Sequence, residues 1–419
     1  MGMGSNADIL IIGGGLAGLC CALRLHQSGI SSQILEASDG VGGRVRTDKV
    51  EGFLLDRGLQ VLLTAYPEAR RVLDYDALGL HPFYPGALIR YKNHFYRFAD
   101  PWRRPVDGLL GIFAPIGSFT DKLRIRKLRN HVLMCSLNDL YRRPETTTFG
   151  ALRNIGFSEN MIDRFFRPFI GGVFFDPNLG VSSRMFEFGF RFFSMGDTAL
   201  PSRGMGAIPE QIASQLPQGT IRTEARVESI QEDGVTLKSG EKMKAQAVVL
   251  ATEGPETARL LGDQQRPASR SVTCVYFAAE EPPFSGPLLV LNGEGKGPIN
   301  SLCCPNSVAP NYAPEKKVLI SITIIGNPDQ GDQQLISTVR GQLTNWFGPG
   351  VNGWRHLRTY RILHALPMQT PPVSDPTSRP PQIRPGLFIC GEYQNVASIQ
   401  WAMVSGRQAA ESVIDWFRK

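Results

Sequence analysis

A chain of 419 residues is longer than one hydrophobic core can fill, so two domains are expected. Its 42% hydrophobic and 20% charged residues are those of an ordinary globular protein and exclude wholesale disorder. The net charge of +7 is too thinly spread to mark a nucleic-acid binder, although it suits anionic lipid surfaces or ligands.

Seven cysteines without a C-x-x-C pair and six scattered histidines argue against a metal cluster or a disulfide framework, and for a reducing compartment. No run of about 18 apolar residues is present to span a bilayer. A predicted strand begins by Asp8, which leaves no room for a targeting segment, so cytoplasm or an organelle stroma or matrix is expected.

In chain order, Asp8-Ile9-Leu10-Ile11-Ile12 reads as a buried parallel strand, and Leu16, Leu19, Cys20 and Leu23 recur at helical spacing. Gly29 ends that helix and Gln33-Ile34-Leu35-Glu36 forms a second strand, completing a β-α-β unit. Between them Gly13-Gly14-Gly15-Leu16-Ala17-Gly18 spells G-x-G-x-x-G. Gly13 permits the turn, Gly15 lets the backbone approach a pyrophosphate, and Gly18 lets helix and sheet pack closely. The helix amino terminus offers N–H groups to phosphates, and Glu36 can accept from ribose hydroxyls. Strand, glycines, helix and terminal acid together point to a bound dinucleotide. Gly42-Gly43-Arg44 adds a second glycine loop and a cation for the same phosphates.

Residues 76–200 are rich in Phe and Arg with helical periodicity and few strand signals, as in an inserted helical region. Strands resume with Thr223 to Ile230, Gly234 to Leu237 and Ala247 to Ala251, and the stretch from Val272 to Ile325 alternates like an antiparallel sheet. Seven prolines from Pro367 to Pro385 exclude helix and central strand. A last buried strand, Leu387 to Cys390, precedes a helix with Ala402, Gly406, Ala409, Val413 and Phe417 on one face. The simplest assembly is an α/β protein. Residues 1–75, 200–265 and 380–419 form a discontinuous Rossmann-like domain, and 76–199 with 266–379 form an inserted α+β substrate domain.

The spacing E-x(5)-G-G-R, from Glu36 to Arg44, resembles the signature of the FAD-dependent amine oxidase superfamily, which includes monoamine and polyamine oxidases, protoporphyrinogen oxidase and phytoene desaturases. Three more segments carry the resemblance along the chain. Arg226 to Ile230 resembles the strand in which a valine, here Val227, contacts adenine. Asp56-Arg57-Gly58-Leu59-Gln60 resembles the loop beside the flavin ring. Gly391-Glu392, followed by Ser398-Ile399-Gln400 and the last helix, resembles the carboxy-terminal flavin site. The resemblance implies FAD as cofactor, held non-covalently because no cysteine near Ser398 is placed for attachment. A helix terminus near Ile399 would stabilise negative charge on the reduced ring, with Glu392 free for ribityl or ribose hydroxyls. Where relatives carry Gly-Ala this chain has Trp401-Ala402, and the indole either narrows the flavin cavity or points into the core.

Amine-oxidising relatives carry a lysine at the flavin. The matching strand here is Ser271 to Phe277, with Thr273 at the lysine position and no lysine from Arg266 to Gly295. That favours the porphyrinogen- and carotenoid-oxidising side of the family. The aromatic segments Phe165 to Phe174 and Phe186 to Phe193 read either as core or as the lining of an apolar substrate pocket. Leu200 to Gly206 resembles the family's P-x-G-G-M loop, with Arg203 in place of the first glycine. Pro101 to Arg104, the apolar run Leu109 to Ile116 and Lys122 to Arg129 combine basic and apolar residues. They read either as a peripheral membrane contact or as a basic amphipathic helix of the substrate domain.

The expected activity is dehydrogenation of an apolar organic substrate by hydride transfer to flavin N5, with oxygen or a quinone as acceptor. No catalytic acid or base is assigned. An amine or amino-acid oxidase, a reduced-flavin double-bond isomerase and a non-catalytic flavin-binding factor are the alternatives.

Overall fold

Strands without a polar side must be covered on both faces. Ile9–Ile12, Ala247–Leu250 and Leu387–Ile389 are such strands, and they lie side by side in parallel. Ser32–Leu35 and Ile221–Arg222 extend this sheet on one side, and Gln382–Arg384 closes the other as an antiparallel edge. The computed structural model describes residues 8–111, 114–265, 267–373, 375 and 378–418.

One face of the sheet is covered by the crossover helix Leu16–Gln27 and the terminal helix Ile399–Phe417. These helices approach until a methyl on Gly406 would lie 2.0 Å from the Ala17 carbonyl oxygen, so only glycine fits there. On the other face Leu10, Ile12, Leu35 and Leu250 pack against Val227, Val235 and Leu237 of a three-stranded antiparallel sheet, Val227–Gln231, Gly234–Leu237 and Lys242–Lys244.

A seven-stranded sheet forms the second large element. Its order is Arg355–Pro367, Ser269–Ala279, Val318–Ile325, Ser301–Cys303, Leu289–Asn292, Gly86–Tyr91 and His94–Ala99. Alternation sorts its two faces. Val275, Phe277, Ile320 and Ile322 pack under the helix Asp332–Phe347, whereas Cys274, Tyr276 and Leu319 turn toward the first sheet.

Residues 76–200 are less purely helical than their composition predicts. Leu80–Pro82 pairs with Thr198–Pro201, and Gly86–Tyr91 with His94–Ala99 forms a hairpin that joins the large sheet. The hairpin turns at Lys92-Asn93, both with positive φ, a geometry usually signalled by Asn-Gly. Without that signal the hairpin is hard to see in the sequence. Helices then follow, including Phe119–Met134, Arg167–Phe174 and Ser183–Met195.

Candidate active site

The carboxyl ends of the parallel strands open onto one cleft, where ligands bind in open α/β sheets. Ile12, Leu35, Ala251 and Gly391, each at or just beyond a strand end, border it. Its volume is about 1220 Å³, above the roughly 300–1,000 Å³ of ordinary small-molecule pockets.

The three fingerprint glycines play separate parts. Gly13 has φ +109°, and a methyl there would meet the Ala251 carbonyl oxygen at 2.8 Å. A methyl on Gly18 would lie 2.0 Å from the Gly13 oxygen, and Gly18 is the one predicted site residue that does not border the cleft. A methyl on Gly15 would meet nothing within 4 Å and would protrude into open space. Leu16 and Ala17 line the cleft beside it, at the start of the crossover helix.

Glu36 closes this end. Its carboxylate accepts from the Gly14 N–H at 2.7 Å and from the Ser38 N–H and hydroxyl at 2.8 Å each, with lone pairs left over. The second glycine loop is bonded to the first: Gly42 N–H donates to the Gly14 carbonyl at 2.8 Å, and Gly42 and Gly43 both border the cleft. Val227 lines the wall near Glu36 together with Ala225 and Arg226.

Arg44 departs from its predicted part. Its guanidinium pairs with Glu392 and donates to the Ala365 carbonyl at 2.9 Å, so it does not stand as a free cation, and Glu392 is not free either. The two predicted sites are joined by this ion pair. Both residues, with Gly391, Ser398 and Ile399, border the cleft. Ser398 caps the terminal helix by accepting from the Trp401 N–H at 3.2 Å, while the earliest N–H groups of a helix have no intrahelical acceptor.

Gly58, Leu59 and Gln60 border the middle of the cleft. Gln60 donates to the Arg44 carbonyl at 2.8 Å, while its buried amide oxygen has no partner. A glycine kept bare beside open space, an unsatisfied acceptor further along and a helix amino terminus beyond suit a long molecule with phosphates at one end and a hydrogen-bonding ring at the other.

The loop 56–60 is held by a residue that sequence reasoning missed. Asp56 is fully buried and accepts from Thr47 Oγ1 at 2.5 Å, Tyr312 OH at 2.7 Å and Met205 N–H at 3.0 Å. Burial pushes its carboxyl up to about 6, against the lowering effect of those hydrogen bonds. The 200–206 segment therefore acts from behind this loop, with Gly206 N–H donating to Thr47, rather than lining the cleft.

Trp401 resolves toward the core. It is buried, its Nε1–H donates to Tyr141 OH at 3.1 Å, and Ala402 faces the cleft in its place. Thr273 likewise lies off the site: it is on the far face of the sheet, bonded to the Gly326 carbonyl, and Val272 is the cleft-facing neighbour. The aromatics divide between both readings. Phe166, Phe186 and Phe192 are core, whereas Phe165, Phe169, Phe190 and Phe193 line an apolar channel leading away from the loop 58–60.

That channel reaches the surface between Pro101-Trp102-Arg103 and the helix Phe119–Met134, whose Lys122, Leu123, Arg126 and Arg129 border it. Of the run Leu109 to Ile116, residues 112 and 113 and the side chains of Leu109 and Leu110 lie outside the described residues. No helix among the described residues is long and apolar enough to cross a membrane.

Comparison with known proteins shows the family and the fold. The sequence profile of the flavin containing amine oxidoreductases matches residues 16–414. The chain is 22% identical to a coproporphyrinogen III oxidase of Propionibacterium freudenreichii over 98% of this chain and 91% of that protein. It is 49% identical to amine oxidase [flavin-containing] B of Cavia porcellus over 25% of this chain and 20% of that one. A solved structure from Exiguobacterium sp. 255-15, provisionally named a protoporphyrinogen oxidase, superposes with a TM-score of 0.74 at 18% identity over the whole of both chains. Putrescine oxidase bound to putrescine superposes at 0.69 and 16% identity over 98% of this chain and 99% of that one. Profile and fold lead to one conclusion: the chain belongs to the flavin-containing amine oxidoreductase family and is an oxidoreductase with FAD as its cofactor.

Proposed function

We propose that the protein dehydrogenates an apolar organic substrate of porphyrinogen or polyene type. The observation that carries this is one continuous cleft, running from the glycine loops to an aromatic channel. Gly13, Gly15, Glu36, Gly42 and Gly43 would hold the nucleotide half of FAD, with Leu16, Ala17 and Val227 against it and Gly18 packing the helix behind them. Gly58, Leu59, Gln60, Gly391, Ser398 and Ile399 would hold the ring, with Arg44 and Glu392 between them. We read the parallel sheet and its layers as the discontinuous Rossmann-like FAD domain, 1–75, 200–265 and 380–419. The remainder, 76–199 and 266–379, is the α+β substrate-binding domain.

When bound, FAD supplies a two-electron acceptor at the inner end of the channel. The chain's own groups orient the substrate and exclude water there: Phe165, Phe169, Phe190 and Val272 present apolar surface. Lys122 is the one lysine among the described residues bordering the cleft, and it stands at the mouth. That placement disfavours an amine oxidase using a lysine at the ring. No cysteine among the described residues borders the cleft, consistent with a flavin held without a covalent bond. Oxygen or a quinone would then take up the electrons.

Anaerobic mixing of the holoenzyme with porphyrinogens, polyenes and amines tests the reading. Bleaching of the flavin by a porphyrinogen or polyene supports it; bleaching by amines alone contradicts it.

The mouth would rest on an anionic lipid surface. Trp102, Phe119 and Leu123 border it and are exposed, and Val106, one residue beyond Pro105 of the lining, is 72% exposed. Arg129 stacks over Trp102 with 4.6 Å between guanidinium and ring, and Lys122 and Arg126 flank the apolar groups. Apolar anchors ringed by cations suit peripheral insertion. Vesicles containing phosphatidylserine should sediment the protein in a salt-sensitive way, and Lys122→Glu with Arg126→Glu should weaken this at least several-fold. Equal sedimentation of the variant removes the lipid contact from the account.

A further inference from the structure

The sheet floor of the cleft is apolar at Val272, Leu289, Leu291 and Ile362, with one interruption. Ser301 and Thr323 face each other in register on neighbouring strands, and both border the cleft. Directly opposed residues on one sheet face have Cβ atoms roughly 5 Å apart. Two hydroxyl-bearing side chains therefore stand side by side under a surface that is otherwise apolar.

Thr323 is 4% exposed, and its Oγ1 has no hydrogen-bond partner. Other hydroxyls of the same sheet are committed: Thr273 donates to the Gly326 carbonyl at 2.9 Å, and Ser321 contacts Cys274 Sγ at 3.6 Å. A buried hydroxyl without a partner is costly, and one that borders a cleft can be completed by a ligand's polar group. Rotation about one side-chain bond exchanges the Thr323 methyl and hydroxyl at the cleft surface.

The spot lies near the ring-facing loop, since Ile362, on the same floor, would contact a methyl on Gly58 at 3.0 Å. Asn300, next to Ser301, donates to the Pro168 carbonyl at 3.0 Å, which ties this edge to the aromatic helix. Its surroundings also limit the charge of what can bind. Arg44 and Arg57 are paired with Glu392 and Asp48, and Lys122, Arg126 and Arg129 stand at the mouth. A carboxylate would be desolvated here without a cation, whereas a carbonyl or hydroxyl would be satisfied by the two O–H groups.

Building on the reading of the cleft as an apolar substrate site, we infer that Ser301 and Thr323 form a polar subsite selecting substrates with one uncharged hydrogen-bonding substituent, a carbonyl or a hydroxyl. Pyrenecarboxaldehyde and methylpyrene, matched planar probes with and without the carbonyl, test it by titration against the FAD-loaded protein. Wild type should prefer the aldehyde roughly tenfold. Thr323→Val with Ser301→Ala should bring the ratio near one, while Thr273→Val, altered on the opposite face, keeps it.

An aldehyde preference that survives the double variant, or no preference in wild type, overturns this inference alone. Failure of both probes to bind overturns the apolar-site reading beneath it. Thermal melting gives a second readout. Thr323→Val should melt at or above wild type, because it removes an unsatisfied hydroxyl. A loss of several degrees would show that the hydroxyl is engaged within the protein, and would overturn the proposal.

Discussion

At the residue scale the glycines proposed to hold the cofactor let binding and folding be tested apart. A methyl on Gly15 enters empty space, so Gly15→Ala should leave apo-protein stability within about 0.5 kcal/mol of wild type while weakening FAD binding. A methyl on Gly18 lands on backbone, so Gly18→Ala should destabilise even the apo-protein, by about 1–3 kcal/mol. Chemical denaturation without FAD distinguishes them, and equal losses would contradict the assigned parts.

Asp56 makes a prediction in pH. Its folded carboxyl titrates near 6 against an ordinary value of 3.8, so between these values the folded state holds a proton that the unfolded state releases. Folding stability from this group is therefore present at about pH 4, falls as pH rises toward 6, and is level above that. Asp56→Asn lacks the effect. The melting temperature of wild type minus that of the variant should decline from pH 4 to 6, and a constant difference would refute the buried ionisable group. Sequence reading found the glycines because their pattern lies in consecutive residues. Asp56 stayed hidden because Met205 and Tyr312 lie 149 and 256 residues away.

At the element scale the β-α-β unit, the late buried strand and the terminal helix are legible because each follows one hydrophobic period between clear breakers. The Gly86–Tyr91 hairpin was not, since its first strand pairs with Leu289–Asn292 and its turn lacks the usual residues. Trp401 was undecidable from sequence for a similar reason: its partner Tyr141 is 260 residues distant. The terminal helix carries a prediction of its own. Gly406→Ala would improve helix propensity yet press a methyl into the Ala17 carbonyl, so the net effect should be destabilisation by about 1–3 kcal/mol. Because Ser398 and Ile399 border the cleft from the same helix, FAD retention should fall with it. A neutral or stabilising result would mean the two helices stand further apart.

At the scale of the molecule, two sheets distant in sequence meet around one cavity. Its inner end is built from strand termini and glycine loops, its floor from the large sheet and its outer part from aromatic helices. The glycine-loop end, proposed to hold the dinucleotide, could be read from the chain because its residues are consecutive. The substrate end could not: the division of phenylalanines between core and channel depends on how helices rotate against strands far away.

The most direct measurement is equilibrium titration of the apo-protein with FAD, followed by visible absorbance, in wild type and Gly15→Val. One FAD per chain in wild type, and loss of that binding in a variant whose unloaded form melts like wild type, is the predicted result. A wild-type protein that takes up no FAD, or a variant that binds it equally well, would contradict the placement of the cofactor on which the whole reading stands.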